Sequence, residues 1–400
     1  MHAQNSTNSP YTRYGYGILA DKAFISQRGM GGIGYGLRNS QMINPMNPAS
    51  FSAVDTLTFM FDLGLSAQIS WFQDAYGKER KINGNLEYLA LQFPLAKKLG
   101  IGAGFEPVSN VGYNYADTAR LPVENDLVQK TYTGRGGMSR VYGVLSYDFL
   151  NRLSIGVKLS YLFGDISHNK VVSYSSSNID VTSWADTLRS YGFLYDFGLQ
   201  YHQSIGKFRT ITIGAVYSPK TSFGAKVMTG ETRSNVSGSI MDSKNTVSTD
   251  SIFELPESYG LGFTYSRLGK LTVGADVLYQ KWADVKYYDQ TNAFYNLLKL
   301  NAGGEFIPNR TGNNLLNRLR YRAGIHYTNS YLKIKDSKYN EYGVNLGFGV
   351  PMNDRRSFLN IAFEYLLIRP ESKLYIDEQY FKVSLSYTFN ELWFFKQKVQ

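Results

Sequence analysis

The sequence predicts an all-β protein: a fourteen-stranded antiparallel transmembrane β-barrel with an N-terminal hatch, or plug, inside its lumen. Three observations carry that expectation. Apolar and polar residues alternate with period two over segments of about ten residues or more, long enough to cross hydrocarbon on a tilt. The polar face of these segments carries charges in mid-strand, which a dry sandwich core would not tolerate and a barrel lumen would. The gaps between segments are alternately short and long, as in a barrel assembled from hairpins.

Composition agrees. Of 400 residues, 38 are Gly, 32 Tyr and 24 Phe, only 11 are Pro and none is Cys. Aromatic residues make up 15% and charged residues only 18%. A disordered chain, a disulfide scaffold, a thiolate metal site and a cysteine nucleophile are thereby excluded. No apolar run approaches the length of a membrane helix. Lys and Arg number 42 against 32 Asp and Glu, a formal charge of +10. The basic residues are scattered, densest at Lys97–Lys98, Arg355–Arg356 and Arg318–Leu319–Arg320. No nucleic-acid-binding motif accompanies them, so no nucleic-acid partner is expected.

Taken in order, residues 1–55 do not read as strand. They hold Gly15, Gly17, Gly29, Gly31, Gly32, Gly34 and Gly36, then Asn44–Pro45 and Asn47–Pro48. Compact irregular structure with one or two helical turns is expected, of a size to fill a fourteen-stranded lumen. Residues 56–390 read as the barrel, with strands at about 57–72, 83–95, 98–113, 137–150, 152–166, 189–203, 207–231, 256–268, 270–284, 296–308, 317–332, 338–350, 356–370 and 378–390. The alternation is clearest in Leu153, Ile155, Val157, Leu159 and Tyr161 against Ser154, Gly156, Lys158 and Ser160. It recurs in Phe381, Val383, Leu385, Tyr387 and Phe389 against Lys382, Ser384, Ser386 and Thr388. Long external loops are expected at 114–136, 167–188 and 232–255. Strand 7 contains Ser218–Pro219, and proline cannot donate to a ladder; it reads as one kinked strand rather than two, which keeps the loops in phase. Residues 391–400 form a tail with Trp393, Phe394 and Phe395.

This layout resembles the FadL-like family of outer-membrane proteins, which transport long-chain fatty acids and other hydrophobic compounds. The resemblance is most specific at Arg28–Gly29–Met30–Gly31–Gly32 and Asn47–Pro48–Ala49–Ser50–Phe51, ahead of the first long strand. In that family such motifs lie in a hatch that plugs the barrel, so Arg28, Gly29, Gly31, Gly32, Asn47, Pro48 and Ala49 are expected there. The opening Ser9–Pro10–Tyr11–Thr12–Arg13–Tyr14–Gly15 resembles family members from the Bacteroidetes. The tail departs from the family, whose chains stop at a terminal aromatic after the last strand. Some family members act instead as partner barrels in secretion or outer-membrane assembly machines. Met1–Gln4 shows no secretory leader, which an outer-membrane location requires; a mature start near Ala3 or Gln4 is expected, and without Cys the chain is not a lipoprotein.

The Arg28–Gly32 stretch lacks the Lys-Ser/Thr of a phosphate loop and reads as a tight turn. Proline geometry and Asn capping make Asn47–Ala49 a structural or gating turn. Lys158, Asp276, Glu364 and Lys382 are the candidate lumen-lining charges, either orienting a ligand or supporting the hatch. Ser218 and Pro219 mark a candidate strand kink that would open the wall laterally. His2, His168, His202 and His326 lack metal-ligand spacing, and His168 reads as a solvated loop residue. No acid pair or Ser/His/acid set can be assembled, so neither an enzyme nor a cofactor is expected. External patches at Phe294, Leu297, Leu298 and Trp184 would collect an apolar solute. The expected function is passive outer-membrane transport of small hydrophobic compounds with hatch-gated entry and lateral exit into membrane lipid. The alternative is a non-transporting partner barrel that binds another barrel or a lipoprotein.

Overall fold

The computed structural model describes residues 6–393, apart from 75–76, 121–126, 176–178, 236, 250, 268, 335–336, 355 and 373–375. Within the N-terminal segment lie a two-residue strand β1 (Ile18–Leu19) and a one-turn helix α1 (Ile25–Arg28). Then come β2 (Thr58–Gln73), β3 (Lys78–Ala96), β4 (Leu99–Arg120), β5 (Leu127–Phe149), β6 (Leu153–Tyr174), β7 (Val181–Ser204) and β8 (Arg209–Ser218). An excursion follows through β9 (Thr221–Ser234), β10 (Ile240–Ser248) and β11 (Phe253–Leu255). The chain then returns through β12 (Ser258–Arg267), β13 (Leu271–Gln280), β14 (Leu297–Phe306), the turn α2 (Leu315–Arg318), β15 (Arg320–Asn329), β16 (Tyr339–Pro351), β17 (Phe358–Pro370) and β18 (Asp377–Leu392).

Fourteen of these are barrel staves. Strands β2 to β8 and β12 to β18 pair in sequence order, β8 with β12 across the excursion, and β18 closes on β2 from Asp377↔Gln73 to Leu392↔Thr58. Every pairing is antiparallel, and closure removes the free edges that an open sheet of this size would leave. The outward face is an apolar band, exposed at Leu145, Ile155, Val157, Phe193, Phe197, Leu261, Val344 and Leu385. Among the described residues no helix is long and apolar enough to cross a membrane; the strands do so.

The seventh stave is interrupted. β8 pairs with β7 from Ser204↔Thr210 to Phe197↔Tyr217, and β9 resumes on the same strand from Tyr191↔Gly224 to Val181↔Ser234. One kinked stave thus runs along β7, and the strand parity holds. The extended loops expected from the sequence are a different matter. Most of 114–136 and 167–188 is strand, because β4, β5, β6 and β7 run 22 to 24 residues. Most of 232–255 is the β9–β10 hairpin and β11. Above the membrane the outward face turns polar, so the lipid-facing half of the signal is lost while the backbone ladder continues. The outward face shows the change: Tyr161 and Phe163 give way to Asp165 and Ser167 on β6. These strands form a panel standing on one side of the external mouth.

Most of residues 6–52 are buried, and their partners are inward-facing residues of the staves. Two aromatic-rich clusters result. The larger gathers Tyr11 and Tyr16 with Phe223, Phe253, Trp282, Phe294, Tyr331 and Tyr339 toward the external end. The smaller packs Phe24, Ile25, Ile43 and Phe51 on Met60, Tyr88, Tyr142 and Ala362. The terminal tail begins with Trp393, whose ring stacks on Phe59 at 4.1 Å and whose N–H donates to Leu57; residues 394–400 lie outside the described residues.

Candidate functional site

The glycine-rich stretch lies against the inner wall because it has no side chains to hold it off. Gly31 takes φ +70° and Gly32 φ +81°, a left-handed region that other residues rarely adopt. A Cβ on Gly31 would strike Ala302 and Ile325 of β14 and β15. Beside it, the Asp276 carboxylate accepts from the backbone N–H of Gly34 at 2.5 Å and of Tyr35 at 2.8 Å. Asp276 therefore anchors the turn that follows the glycines. Gly29 sits against Gly347.

Asn47 is an N-cap. Its Oδ1 accepts from the Ala49 N–H at 3.0 Å, while its Nδ2 donates to Tyr35 at 2.8 Å and to Leu199 of β7 at 3.1 Å. Pro48 opens the short helical turn where its missing N–H costs nothing. This turn rests directly on Gly156 and Gly198 of the wall, where any Cβ would collide with Asn47, Pro48 or Ala49. Ser146 Oγ donates to Ala49 at 2.8 Å and Gln92 Nε2 to Phe51 at 2.9 Å.

The candidate charges divide between two ion-pair clusters and the turn already described. Glu87, on β3, receives Arg28 at 2.7 Å and Lys382 at 2.6 Å. Arg28 also donates to Ala23 and Asp21. Lys382 faces Glu364 across β17 and β18, and Glu364 lies 3.7 Å from His326. Around the wall, Lys158 donates to Glu106 at 2.8 Å and lies over the Tyr142 ring, and Arg140 bridges Glu106 at 2.7 Å and Asp196 at 3.2 Å. The structure thus unites Arg28 with Lys382 through Glu87, whereas Lys158 and Asp276 stand apart from them. Glu87, Glu106, Arg140 and Asp196 were not singled out in the sequence. All four sit at inward positions, but Glu87 falls beside a register shift between Gly64 and Leu65 that obscures its phase.

Between the N-terminal segment and the wall is a cavity of about 540 Å³. Leu194, Leu255, Leu278, Trp282, Leu297 and Ile368 make its apolar side, and Arg28, Glu87, Lys382, Lys22, Asp196 and Arg140 its charged side. That volume suits a small organic ligand. Two outward-facing residues, Leu86 and Tyr195, also line it, so it reaches between strands at two places.

The first place is a seam between β3 and β4. Their ladder joins only Leu89–Ala96 to Leu99–Phe105. Above it β3 pairs with β2 and β4 with β5, and β1 lies on the free side of β4 through Ile18↔Asn110 and Leu19↔Ser109. Ser6 spans the gap, its Oγ donating to Asn110 at 3.1 Å while its carbonyl accepts from Asn85 at 2.9 Å. Asn8 donates to Asn83 at 2.8 Å. The second place is the interruption at Ser218–Pro219, crossed by a hydrogen bond from Ser218 Oγ to Asp196.

Two expectations are corrected. Phe294 and Leu297 are buried in the aromatic cluster and Trp184 lies under Lys170, so these residues are not an exposed collecting patch. Tyr16 occupies the cluster's middle, ringed by Phe223, Trp282, Tyr287 and Phe294 at 5.1 to 6.1 Å. His168 is not a solvated loop residue: it lies on β6, half-buried, with its Nδ1 2.8 Å from the Tyr113 hydroxyl.

Comparison with known proteins completes the description. The BamG family model matches residues 1–400. No curated protein matches the sequence. Among solved structures, the Pseudomonas putida toluene transporter TodX aligns with a TM-score of 0.65 at 15% identity, covering 94% of this chain and 100% of that one. The Ralstonia pickettii toluene transporter TbuX gives 0.61 at 13%, covering 92% and 98%. A Pseudomonas aeruginosa FadL homologue gives 0.60 at 12%, covering 93% and 99%. At these identities the likeness is one of fold, and it is the fold of FadL-like outer-membrane barrels.

Proposed function

The chain belongs to the BamG family, and from the geometry of its cavity we propose a bacterial outer-membrane barrel that passes small hydrophobic compounds, long-chain fatty acids among them, under control of its N-terminal segment. One observation carries this reading. Residues 6–20 close two openings at once: Tyr11 and Tyr16 fill the external aromatic cluster, while Ser6, Asn8 and β1 stitch the β3–β4 seam. A single displacement of that segment would unblock the mouth and free a lateral exit into lipid. Passage down a concentration gradient requires no cofactor, and the proposed reading is not an enzyme's. The neighbouring TodX and TbuX structures, titled toluene transporters, support it by fold.

Because the chain lacks Cys, the gate can be locked. Leu19→Cys with Ser109→Cys joins two residues that are direct cross-strand partners, at a separation a disulfide tolerates. Oxidised protein in vesicles should block uptake of a hydrophobic dye or fatty acid, and reduction should restore it. Equal uptake in both states would remove the hatch gate from the account.

A second reading, a non-transporting partner barrel in an outer-membrane secretion or assembly complex, is favoured by the panel. Among the described residues strand β10 pairs with β9 alone, and Ile240 (67%), Met241 (65%) and Val247 (57%) are exposed along it. Natural proteins normally blunt such an edge. Gentle extraction from native membrane followed by size exclusion and mass spectrometry separates the readings. A stoichiometric barrel or lipoprotein partner, lost on deleting residues 239–249, favours the second; a lone barrel carrying an apolar molecule favours the first.

A further inference from the structure

Where the N-terminal segment faces the wall from β14 round to β3, the cavity carries more acids than bases. Four carboxylates line it there, Asp21, Glu87, Glu341 and Glu364, with the three cations Arg28, Lys299 and Lys382. Glu87 takes Arg28 and Lys382, and Asp21 takes Lys299 at 3.1 Å. Glu341 and Glu364 are left to His326, whose Nε2 lies 3.4 Å from the first and 3.7 Å from the second. Its other ring nitrogen, Nδ1, is 3.0 Å from Asn345 Oδ1, which only accepts, so Nδ1 carries the hydrogen. In the neutral ring Nε2 is then a bare acceptor beside two carboxylates.

Another acceptor joins them. Asn301 pairs directly with His326 across β14 and β15 and is only 6% exposed. Its Nδ2 donates to Gly32 at 2.8 Å, while its Oδ1, on a residue that lines the cavity, has no hydrogen-bond partner in the protein. Buried acceptors without a donor are costly. Among the described residues no group of His, Asp and Glu is placed to hold a metal ion, which leaves an organic cation as the partner. Apolar surface lies alongside, from Leu297, Leu366, Ile368 and the Tyr339 ring. On the opposite side of the barrel Lys22, Arg140 and Lys158 gather with only Glu106 and Asp196. That end repels a cation and turns it toward Glu341 and Glu364.

We propose that this patch is a binding site for an apolar primary amine in its ammonium form. The ammonium would donate to Glu341, Glu364 and Asn301 Oδ1, and the apolar body would lie along Leu297, Leu366 and Ile368. A proton on His326 Nε2 supplies one donor for the two carboxylates; an ammonium supplies three, together with the missing charge. The site rests on reading the cavity as a chamber for small hydrophobic compounds, and it selects among them those that carry a positive charge.

The test uses the full chain in dodecyl maltoside micelles and equilibrium dialysis at neutral pH. Its probes share an indole body: tryptamine is a cation, tryptophol is neutral and indole-3-propionic acid is an anion. Tryptamine is expected to bind about tenfold more tightly than tryptophol, the worth of one charge-assisted hydrogen bond, and the acid most weakly. Glu341→Gln combined with Glu364→Gln should bring tryptamine to the level of tryptophol and leave tryptophol unchanged. Folding of the variant is checked by heat-modifiable gel migration. Should it not fold, the ranking of the probes on the unaltered chain decides. Equal binding of tryptamine and tryptophol, or tighter binding of the acid, overturns the amine site and leaves the hydrophobic chamber standing. A preference for tryptamine that survives in the folded double variant also overturns the site. If no probe binds, the amine site and the transport reading fall together.

Discussion

At the scale of single residues, the lumen is held by charges that cannot be removed singly. Glu87 is buried and serves two cations, Arg28 from the N-terminal segment and Lys382 from the wall. Deleting one partner of a buried pair costs far more than the pair contributes, about 3–5 kcal/mol, because the survivors stay unpaired in a poor solvent. Glu87→Gln should therefore loosen residues 6–52 without unfolding the staves. Limited proteolysis should show early cleavage in that stretch while heat-modifiable migration persists; wild-type resistance would mean that the neighbouring Glu364 takes over both cations. His168 gives a pH prediction outside the membrane. Burial, with Arg13 nearby, pushes its pKa down to about 4 from 6.5. The folded imidazole stays neutral where an unfolded one would be protonated, so the panel's stability is full above pH 6.5 and declines as pH falls from there toward 4. An NMR titration of the His168 ring should give a midpoint near 4; a midpoint near 6.5 would place it in water.

Among elements, close approach decides what the wall can carry. Gly156 and Gly198 lie on adjacent strands β6 and β7 at directly paired positions, and together they form the floor on which Asn47–Pro48–Ala49 rests. Gly156→Val suits a strand by propensity, yet its branches would enter the space of Pro48. The expected result is a barrel that assembles normally with the turn displaced, at a cost of about 1–3 kcal/mol for overpacking. Protease access near residues 44–53 reads that displacement, and an unchanged digestion pattern would show that the turn yields without cost. The staves differ in length for a physical reason. Ten residues, as in β8, β12, β13, β14 and β15, reach across hydrocarbon, and the 22 to 24 of β4 to β7 leave half their length above it.

On the scale of the molecule, the wall is complete only where ladders run its full height. Above Phe105 the β3–β4 side is closed by the N-terminal segment rather than by a neighbouring strand. Removing residues 6–20 should leave the fourteen staves paired, since their rungs do not involve these residues, and should make the barrel leak. Vesicles holding the truncated protein are expected to admit a small hydrophobic dye faster than those holding the full chain. Equal rates would show that the aromatic cluster seals the mouth without Tyr11 and Tyr16.

Much of this was legible in one dimension. Alternation exposes which residues face lipid, because a strand's side chains must point to opposite sides. It located the inward Lys158, Asp276, Glu364 and Lys382, and the count of fourteen with its kink at Pro219. The limit lies where the outward face turns polar: β10 and the upper reaches of β4 to β7 lose the lipid-facing apolar row and read as loops in the sequence. Sequence alone also established that the chain has no thiol chemistry and that residues 1–55 are too rich in Gly and Asn-Pro to be stave. Only the tertiary structure decided which charges meet and that Glu87 joins Arg28 to Lys382. It alone showed the β3–β4 seam, since a missing ladder is a relation between strands and leaves no mark on either. The reason is common to all of these. Facing is set by each residue's own strand, whereas pairing is set by closure of the barrel, which brings together residues hundreds of positions apart.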